Sequence, residues 1–287
     1  MFSGSIVALV TPFKDGTVDV SKLEELVARH IDAGTNGIVP CGTTGESATL
    51  SHDEHEAVIS RVVAAADGKI PVIAGTGSNS TSEAIRLTRF AQEAGADGAL
   101  LITPYYNKPT QEGLYRHFAK IAGETDIPLV LYNVPSRTGV NMLPETVIRL
   151  AELKNVVAVK EASGSIDQSV EILRGSDLKV LSGDDSLTLP LMSVGAAGVI
   201  SVAANIVPEM MVDLVDLAAA GDFANARDLH LKLFPLFKAL FLETNPIPIK
   251  TAMSIEGTLN GELRLPLCEM TPGGREKLAR AVREVRT

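Results

Sequence analysis

The sequence predicts an α/β chain built as a (β/α)8 TIM barrel with a C-terminal helical appendage. Three observations carry that expectation. A helix-to-strand join recurs at Ala33-Gly34-Thr35-Asn36-Gly37-Ile38-Val39, Ala94-Gly95-Ala96-Asp97-Gly98-Ala99-Leu100-Leu101 and Val194-Gly195-Ala196-Ala197-Gly198-Val199-Ile200. In each, an amphipathic pattern stops at a glycine suited to a left-handed C-cap, and an apolar run follows the second glycine. Eight such runs can be collected, and none alternates apolar with polar residues. That is the pattern of strands covered on both faces, as in a parallel sheet.

The elements follow in order. Ile6–Val10 is the first apolar run. The amphipathic stretch Val20–Ala33 leads to Gly37–Pro40, and Ser51-His52-Asp53-Glu54 reads as a capping box for the stretch Glu54–Ala66. Val72–Ala74 is the third run. Glu83–Ala94 leads to Gly98–Ile102, and Gly113–Glu124 leads to Leu129–Tyr132. Val156–Val159, Lys179–Leu181 and Gly198–Val202 complete the eight. Eight evenly spaced strands alternating with helices is the count of a TIM barrel, and a doubly wound open sheet rarely uses so many. Beyond Val202 no strand signal survives. Breaks at Asn245-Pro246-Ile247-Pro248 and Thr271-Pro272-Gly273-Gly274 divide a helical remainder, so the chain divides into a barrel over residues 1–207 and a helical region over 208–287.

Composition narrows the possible functions. Of 287 residues 45% are hydrophobic and 21% charged, enough apolar material for a large core and too much for intrinsic disorder. Lys plus Arg number 26 against 35 Asp plus Glu, a net charge of −9. An acidic chain with no basic run is repelled by phosphate backbones and anionic lipid, so neither nucleic acid nor a membrane surface is expected as a partner. Two cysteines, Cys41 and Cys268, fit a reducing compartment. The start of the sequence shows no basic segment ahead of an apolar one, and a cytoplasmic location is expected. Ser186 to Pro208 lacks charge, but Pro190, Gly195, Gly198 and Asn205 interrupt it, so it reads as a helix, a turn and a buried strand.

Function in such a barrel collects in the loops after the C-terminal ends of the strands. Lys160 ends the apolar run Val156-Val157-Ala158-Val159. Burial there disfavours an ammonium and frees the amine to attack a carbonyl; the plainer alternative is a lysine that snorkels to solvent or pairs with Glu161. After the second strand, Gly42-Thr43-Thr44-Gly45 offers backbone N–H groups and two hydroxyls, suited to a carboxylate or simply to a tight turn. Tyr132 and Tyr106 stand at strand ends, as proton relays or as packing. Arg137, in a loop bounded by proline and glycine, either clamps a carboxylate or is merely solvated. A phosphate site is disfavoured because Asp184 and Asp185 follow Gly183. A metal site lacks ligands, since His52 and His55 share a helical face with no evident third partner.

With Gly42-Thr43-Thr44-Gly45-Glu46, Tyr132-Asn133-Val134-Pro135-Ser136-Arg137-Thr138-Gly139 and Val159-Lys160-Glu161-Ala162 in this order, the chain resembles the dihydrodipicolinate synthase family. That family belongs to the pyruvate-dependent class I aldolases, which include N-acetylneuraminate lyase and sugar-acid aldolases. The likeness covers essentially the whole chain, including Asn245-Pro246-Ile247-Pro248-Ile249-Lys250. It implies a Schiff base between Lys160 and pyruvate, with no metal or organic cofactor, and the pyruvate carboxylate on Thr43 and Thr44. It implies a proton relay through Tyr132, Thr44 and Tyr106, the last from the neighbouring subunit of a tight dimer. Arg137 would hold the carboxylate of L-aspartate 4-semialdehyde, and the backbones of Gly183 and Ile200 would line the pocket.

The resemblance further implies a homotetramer made as a dimer of tight dimers, acting at the first committed step of diaminopimelate and lysine biosynthesis. It also implies an inhibitory L-lysine pocket of Ser47, Ala48, His52, His55, Asn79, Glu83 and Tyr105. The same seven residues could instead only cap helices and fill an interface. Two rival functions remain: an aldolase of the same superfamily for another acceptor, such as a sialic acid or a 2-keto-3-deoxy sugar acid, and a pyruvate sensor without turnover. Arg137 argues against the first, and the joint presence of Lys160, Tyr132 and Thr44 against the second. Borohydride added with pyruvate is expected to leave one reduced adduct per chain, on Lys160 by peptide mapping; an adduct on any other lysine would overturn the assignment.

Overall fold

A computed structural model of the chain describes residues 2–287. Its main sheet contains eight parallel strands: β1 (Gly4–Ala8), β2 (Gly37–Val39), β3 (Ile73–Gly75), β4 (Gly98–Ile102), β5 (Leu129–Asn133), β6 (Val156–Glu161), β7 (Lys179–Ser182) and β8 (Gly198–Ser201). Each strand pairs with the next in sequence, and β8 returns to β1 through Gly4↔Gly198 and Ile6↔Ile200. The thinnest join is β2 to β3, a single bridge of Ile38 with Val72, supported by Gly75 N–H donating to the Pro40 carbonyl at 2.9 Å. The barrel is thereby closed and leaves no free edge.

Helices cover the outside: α1 (Val20–Asp32), α2 (His52–Ala66), α3 (Thr81–Glu93), α4 (Gln111–Glu124), the single turn α5 (Pro135–Thr138), α6 (Pro144–Leu150), α7 (Ile166–Gly175), α8 (Thr188–Ser193) and α9 (Pro208–Ala219). The expected capping box of α2 is formed by both reciprocal bonds between Ser51 and Glu54, at 2.9 and 3.2 Å. Then come α10 (Phe223–Ala239), α11 (Ile247–Ile255) and α12 (Pro272–Arg286). Helix α9 packs on β1 and β8, so the division drawn at residues 207 and 208 falls between the last strand and the helix that covers it. The uncharged stretch resolves into α8, a turn and β8; no helix of the described residues is long and apolar enough to cross a membrane.

Strand alternation separates two cores. Ile6, Ala8, Val39, Ile73, Leu100, Val130, Tyr132, Ala158, Leu181 and Ile200 point into the barrel. Their neighbours Val7, Ile38, Leu101, Leu131, Val159 and Val199 pack against the helices. Phe2 closes the bottom of the inner core, a burial that contributes about 1.5–3 kcal/mol. The predicted strands differ from the observed ones mainly at their ends. Strand β6 runs on through Lys160 and Glu161, because hydrogen bonding to β5 and β7 continues past the apolar run.

The glycine joins are used as the sequence implies. Gly34, Gly95 and Gly195 are left-handed, at φ +73°, +87° and +109°. The second glycines start strands, tightly at Gly37, where a Cβ would lie 3.3 Å from the Ile6 side chain, and with direct conflict at the other two. A Cβ on Gly198 would lie 2.1 Å from the Gly4 carbonyl oxygen, and one on Gly98 would lie 2.6 Å from the Phe2 ring. Gly198→Ala is expected to destabilise the chain by about 2–4 kcal/mol in urea unfolding, through backbone conflict and strain. Gly123→Ala, on α4 with open space around it, is expected to stabilise it by about 0.5–1 kcal/mol. Equal effects would refute this account of the joins.

Candidate active site

At the C-terminal mouth of the barrel, Lys160 and Tyr132 are cross-strand partners on β6 and β5. The Lys160 Nζ lies 4.3 Å from the centre of the Tyr132 ring, and only 6% of the residue is exposed. Burial pulls its pKa from 10.5 down to about 8; the nearby Asp185 carboxylate opposes the shift and Arg137 adds to it. At pH 8 about half of such a group is free amine, against less than about 1% at the ordinary value. Glu161 is not its partner. One position further along the strand it points to the other face, where it accepts hydrogen bonds from Ser163 N–H at 2.6 Å, Gln168 Nε2 at 3.0 Å and Asn133 Nδ2 at 3.2 Å. The pairing alternative for Lys160 is thereby removed.

Gly183, after β7, stands against the lysine stem: a Cβ there would lie 3.2 Å from Lys160 Cε and 2.6 Å from Ala162 Cβ. Ile200 on β8 is buried in the same inner core as Tyr132. Thr43, half-buried, stands beside the Tyr132 hydroxyl, whose pKa is raised by burial and eased downward by Arg137 and Thr43. Thr44 is buried, and its hydroxyl accepts from Asn245 Nδ2 at 3.0 Å. The Asn245 carbonyl in turn accepts from Arg137 Nη2 at 3.1 Å. Asn245 thus ties the two candidate carboxylate-binding groups together from the start of α11.

Tyr106 is not brought to this site within one chain. It is 89% exposed, at φ +72°, and faces outward beside the half-exposed Tyr105. The usual phosphate position of such barrels is also taken. Asp185 is buried and its carboxylate accepts from the N–H groups of Val202 and Ala203, at 3.1 and 3.0 Å, just past β8. The acidic pair that disfavoured phosphate in the sequence supplies that group itself.

A cavity of about 530 Å³ runs from the mouth toward α2, lined by Thr43, Tyr132, Arg137 and Asn245 at one end and by Ser47, Ala48, His52, His55, Glu83 and Tyr105 at the other. Glu83 accepts from the Ser78 hydroxyl and faces His52 Nε2 at 3.2 Å. His55 is buried and its Nε2 lies 2.7 Å from the Gly75 carbonyl, which fixes that nitrogen as the donor. Burial lowers its pKa, against the opposing hydrogen bond to the Gly75 carbonyl. Asn79 reaches the set through its side-chain donor to the Tyr105 carbonyl at 3.1 Å. Among the described residues no three His, Cys, Asp or Glu side chains stand together as a metal site.

Sequence reasoning missed Asp185 as a carboxylate bound by backbone, Asn245 as a tie, and a second buried lysine, Lys250 on α11, paired with Glu46. The last had a readable signal. Lys250 lies in Ile247-Pro248-Ile249-Lys250-Thr251-Ala252-Met253, an apolar run like the one that exposed Lys160.

A (β/α)8 barrel whose sixth strand carries, near its C-terminal end, a buried lysine with its pKa lowered to about 8 is the architecture of an enzyme of the lysine-dependent class I aldolase type. The model of the dihydrodipicolinate synthetase family matches residues 1–285, and the chain belongs to that family. It is 59% identical to the 4-hydroxy-tetrahydrodipicolinate synthase of Geobacter sulfurreducens, over 99% of each chain. The crystal structure of dihydrodipicolinate synthase from Aquifex aeolicus superimposes with a TM-score of 0.98 at 53% identity, covering 99% of this chain and 98% of that one. The enzyme from Cyanidioschyzon merolae, solved with lysine bound, gives a TM-score of 0.97 at 44% identity, with 99% and 98% covered.

Burial of Lys160 has a price in stability. The folded chain binds fewer protons than the unfolded one between pH about 8 and 10.5, so stability rises with pH across that window and is penalised below it. Lys160→Met is expected to stabilise the chain at pH 7 by about 1–3 kcal/mol in denaturant unfolding, a gain that disappears above pH 10. A variant no more stable than its parent at pH 7 would contradict the desolvation account.

Proposed function

We propose that the chain condenses pyruvate with L-aspartate 4-semialdehyde to 4-hydroxy-tetrahydrodipicolinate, as a carbon–oxygen lyase of lysine and diaminopimelate biosynthesis. The single observation that carries the reading is the Lys160 amine, desolvated at the barrel mouth beside Tyr132. Its free pair attacks the pyruvate ketone, and loss of water leaves an iminium. That iminium is the electron sink, so a methyl proton departs to give an enamine with no metal or organic cofactor in the reading. The enamine carbon attacks the aldehyde, and the amine of the second substrate then adds to the iminium carbon and expels Lys160 as the ring closes.

The remaining residues take roles by their chemistry. Thr43 and Thr44 donate to the pyruvate carboxylate, and Gly183 and Ile200 line that pocket with backbone. Tyr132 and Thr44 carry protons together with Tyr106, which is supplied by the partner subunit of a tight dimer; its exposure beside Tyr105 supports a role across an interface. Arg137 takes the carboxylate of the aldehyde substrate. Two tight dimers make the homotetramer, and free Cys41 and Cys268 suit a cytoplasmic enzyme. Residues 208–287 brace the barrel of residues 1–207.

The far end of the cavity is read as an inhibitory site for L-lysine. The Glu83 carboxylate pairs with the α-ammonium, and Ser47, Ala48, His52, His55, Asn79 and Tyr105 complete the wall. Tyr105 adjoins Tyr106, which links this site to the proton relay. Product formation from the two substrates, measured with and without L-lysine, tests both parts. Turnover that lysine suppresses, and that loses this suppression in a His55 variant with little change in rate, is the expected outcome. Turnover indifferent to lysine would discard the inhibitory site. Pyruvate trapped on Lys160 without turnover would move the reading to another aldehyde acceptor.

A further inference from the structure

Lys250 and Glu46 form an ion pair whose side chains are both fully buried. Glu46 directly follows Gly42-Thr43-Thr44-Gly45, and its backbone is left-handed at φ +53°; Cys41, at the other end of this loop, is left-handed at φ +55°. A non-glycine residue keeps that conformation only where its surroundings impose it. Here the imposing groups come from the C-terminal region. Lys250 Nζ donates to a Glu46 carboxylate oxygen and to the Glu262 carbonyl at 2.9 Å, and Arg264 N–H donates to the other Glu46 oxygen at 3.2 Å. Lys250 Nζ also sits 4.1 Å from the centre of the Phe13 ring, with the Arg264 guanidinium 4.3 Å from the same ring.

A charged pair taken wholly out of water is costly, and well-packed apolar residues of similar volume would often serve stability as well. The pair therefore calls for a reason beyond holding the fold. Its geometry supplies one. The ties of the Cys41–Glu46 loop to its near neighbours are mostly backbone turns: Gly45 and Ser47 N–H to the Gly42 carbonyl at 3.1 and 3.4 Å, Glu46 N–H to the Thr43 carbonyl at 3.1 Å, and Thr49 N–H and hydroxyl to the Glu46 carbonyl at 3.0 and 3.1 Å. The Thr11 hydroxyl donates to the Gly45 carbonyl at 2.7 Å and the Cys41 thiol to the His55 carbonyl at 3.6 Å; none of these ties holds the Thr43 or Thr44 side chain. Asn245 holds the Thr44 hydroxyl from the start of α11, and Lys250 holds Glu46 from within that helix.

We infer that Glu46 and Lys250 are positioning residues that hold the Thr43–Thr44 loop in its anion-receiving shape, an inference that rests on the pyruvate reading above. Both side chains are fully buried behind the loop, so the inference gives neither a contact with substrate. The pair fixes where the loop's N–H and hydroxyl donors point, so its loss weakens capture of pyruvate and spares the chemistry of the Lys160 amine.

The test is borohydride trapping on the full chain, with the half-saturating pyruvate concentration and the maximum adduct per chain measured separately. In wild type, absence of an adduct on Lys160 would defeat the pyruvate reading itself. In the double variant Glu46→Gln with Lys250→Met, which leaves no buried charge unpaired, half-saturating pyruvate is expected to rise tenfold or more while the maximum adduct on Lys160 stays at one per chain. Once turnover is established, KM for pyruvate should rise by the same factor and KM for the aldehyde should not. The double variant Arg89→Met with Glu124→Gln removes an ion pair on the outer ring and should leave pyruvate saturation unchanged. A folded Glu46→Gln/Lys250→Met chain that traps pyruvate with wild-type half-saturation would overturn the inference. So would a loss of maximum adduct with half-saturation unchanged. Should that chain not fold, Glu46→Gln alone, which keeps shape and one acceptor, decides the matter: a threefold or greater rise supports the positioning role, and no rise ends it.

Discussion

In a closed barrel every strand has a neighbour on both sides, so each side chain has only two directions available, into the barrel or out against the helices. The rest of the molecule depends on that restriction. It turns Tyr132 and Lys160 into the barrel as adjacent partners, and it turns Glu161 outward into a cage of amide donors. A one-residue slip of β6 would exchange the two and leave a carboxylate where the amine stands. Pairing on both sides holds that register, through Tyr132↔Lys160 on β5 and Lys160↔Leu181 on β7.

Burial then acts on the groups the register has selected. The same desolvation that destabilises the chain through Lys160 leaves about half of its amine unprotonated at pH 8, so the free amine and the stability cost have one origin. Around it the charge is unevenly compensated: the Asp185 carboxylate is anchored by the backbone of residues 202 and 203 and opposes the lysine's shift without pairing it away. The C-terminal region completes the site. Asn245 and Lys250 on and before α11 reach the loop after β2, which joins a helical appendage to the mouth of a barrel it does not help to close.

Much of this was readable in the residues. Continuous apolar runs mark strands covered on both faces, and glycine joins mark where helices stop, so the eight strands and their order were legible to within a few residues. Lys160, at the end of one such run, was legible as a buried amine for the same reason. The short turn α5 and the ribbon of Phe13–Lys14 with Thr17–Val18 were not, because two to four residues carry no period. The Glu161 cage was also invisible, since Asn133, Asn141 and Gln168 come from separate elements and signal nothing singly.

By itself the sequence determined the barrel, its glycine joins, the acidic character and a buried amine at Lys160, since all of these follow from local period, local backbone preference or composition. Only the tertiary structure decided how those residues are paired. It set Lys160 against Tyr132 and away from Glu161, gave the phosphate position to Asp185, joined the two ends of the cavity, and left Tyr106 outside the site of its own chain. The physical reason is distance along the chain. Thr44 with Asn245 and Glu46 with Lys250 are each about two hundred residues apart, and no local pattern records which donor will meet which acceptor once the barrel has closed.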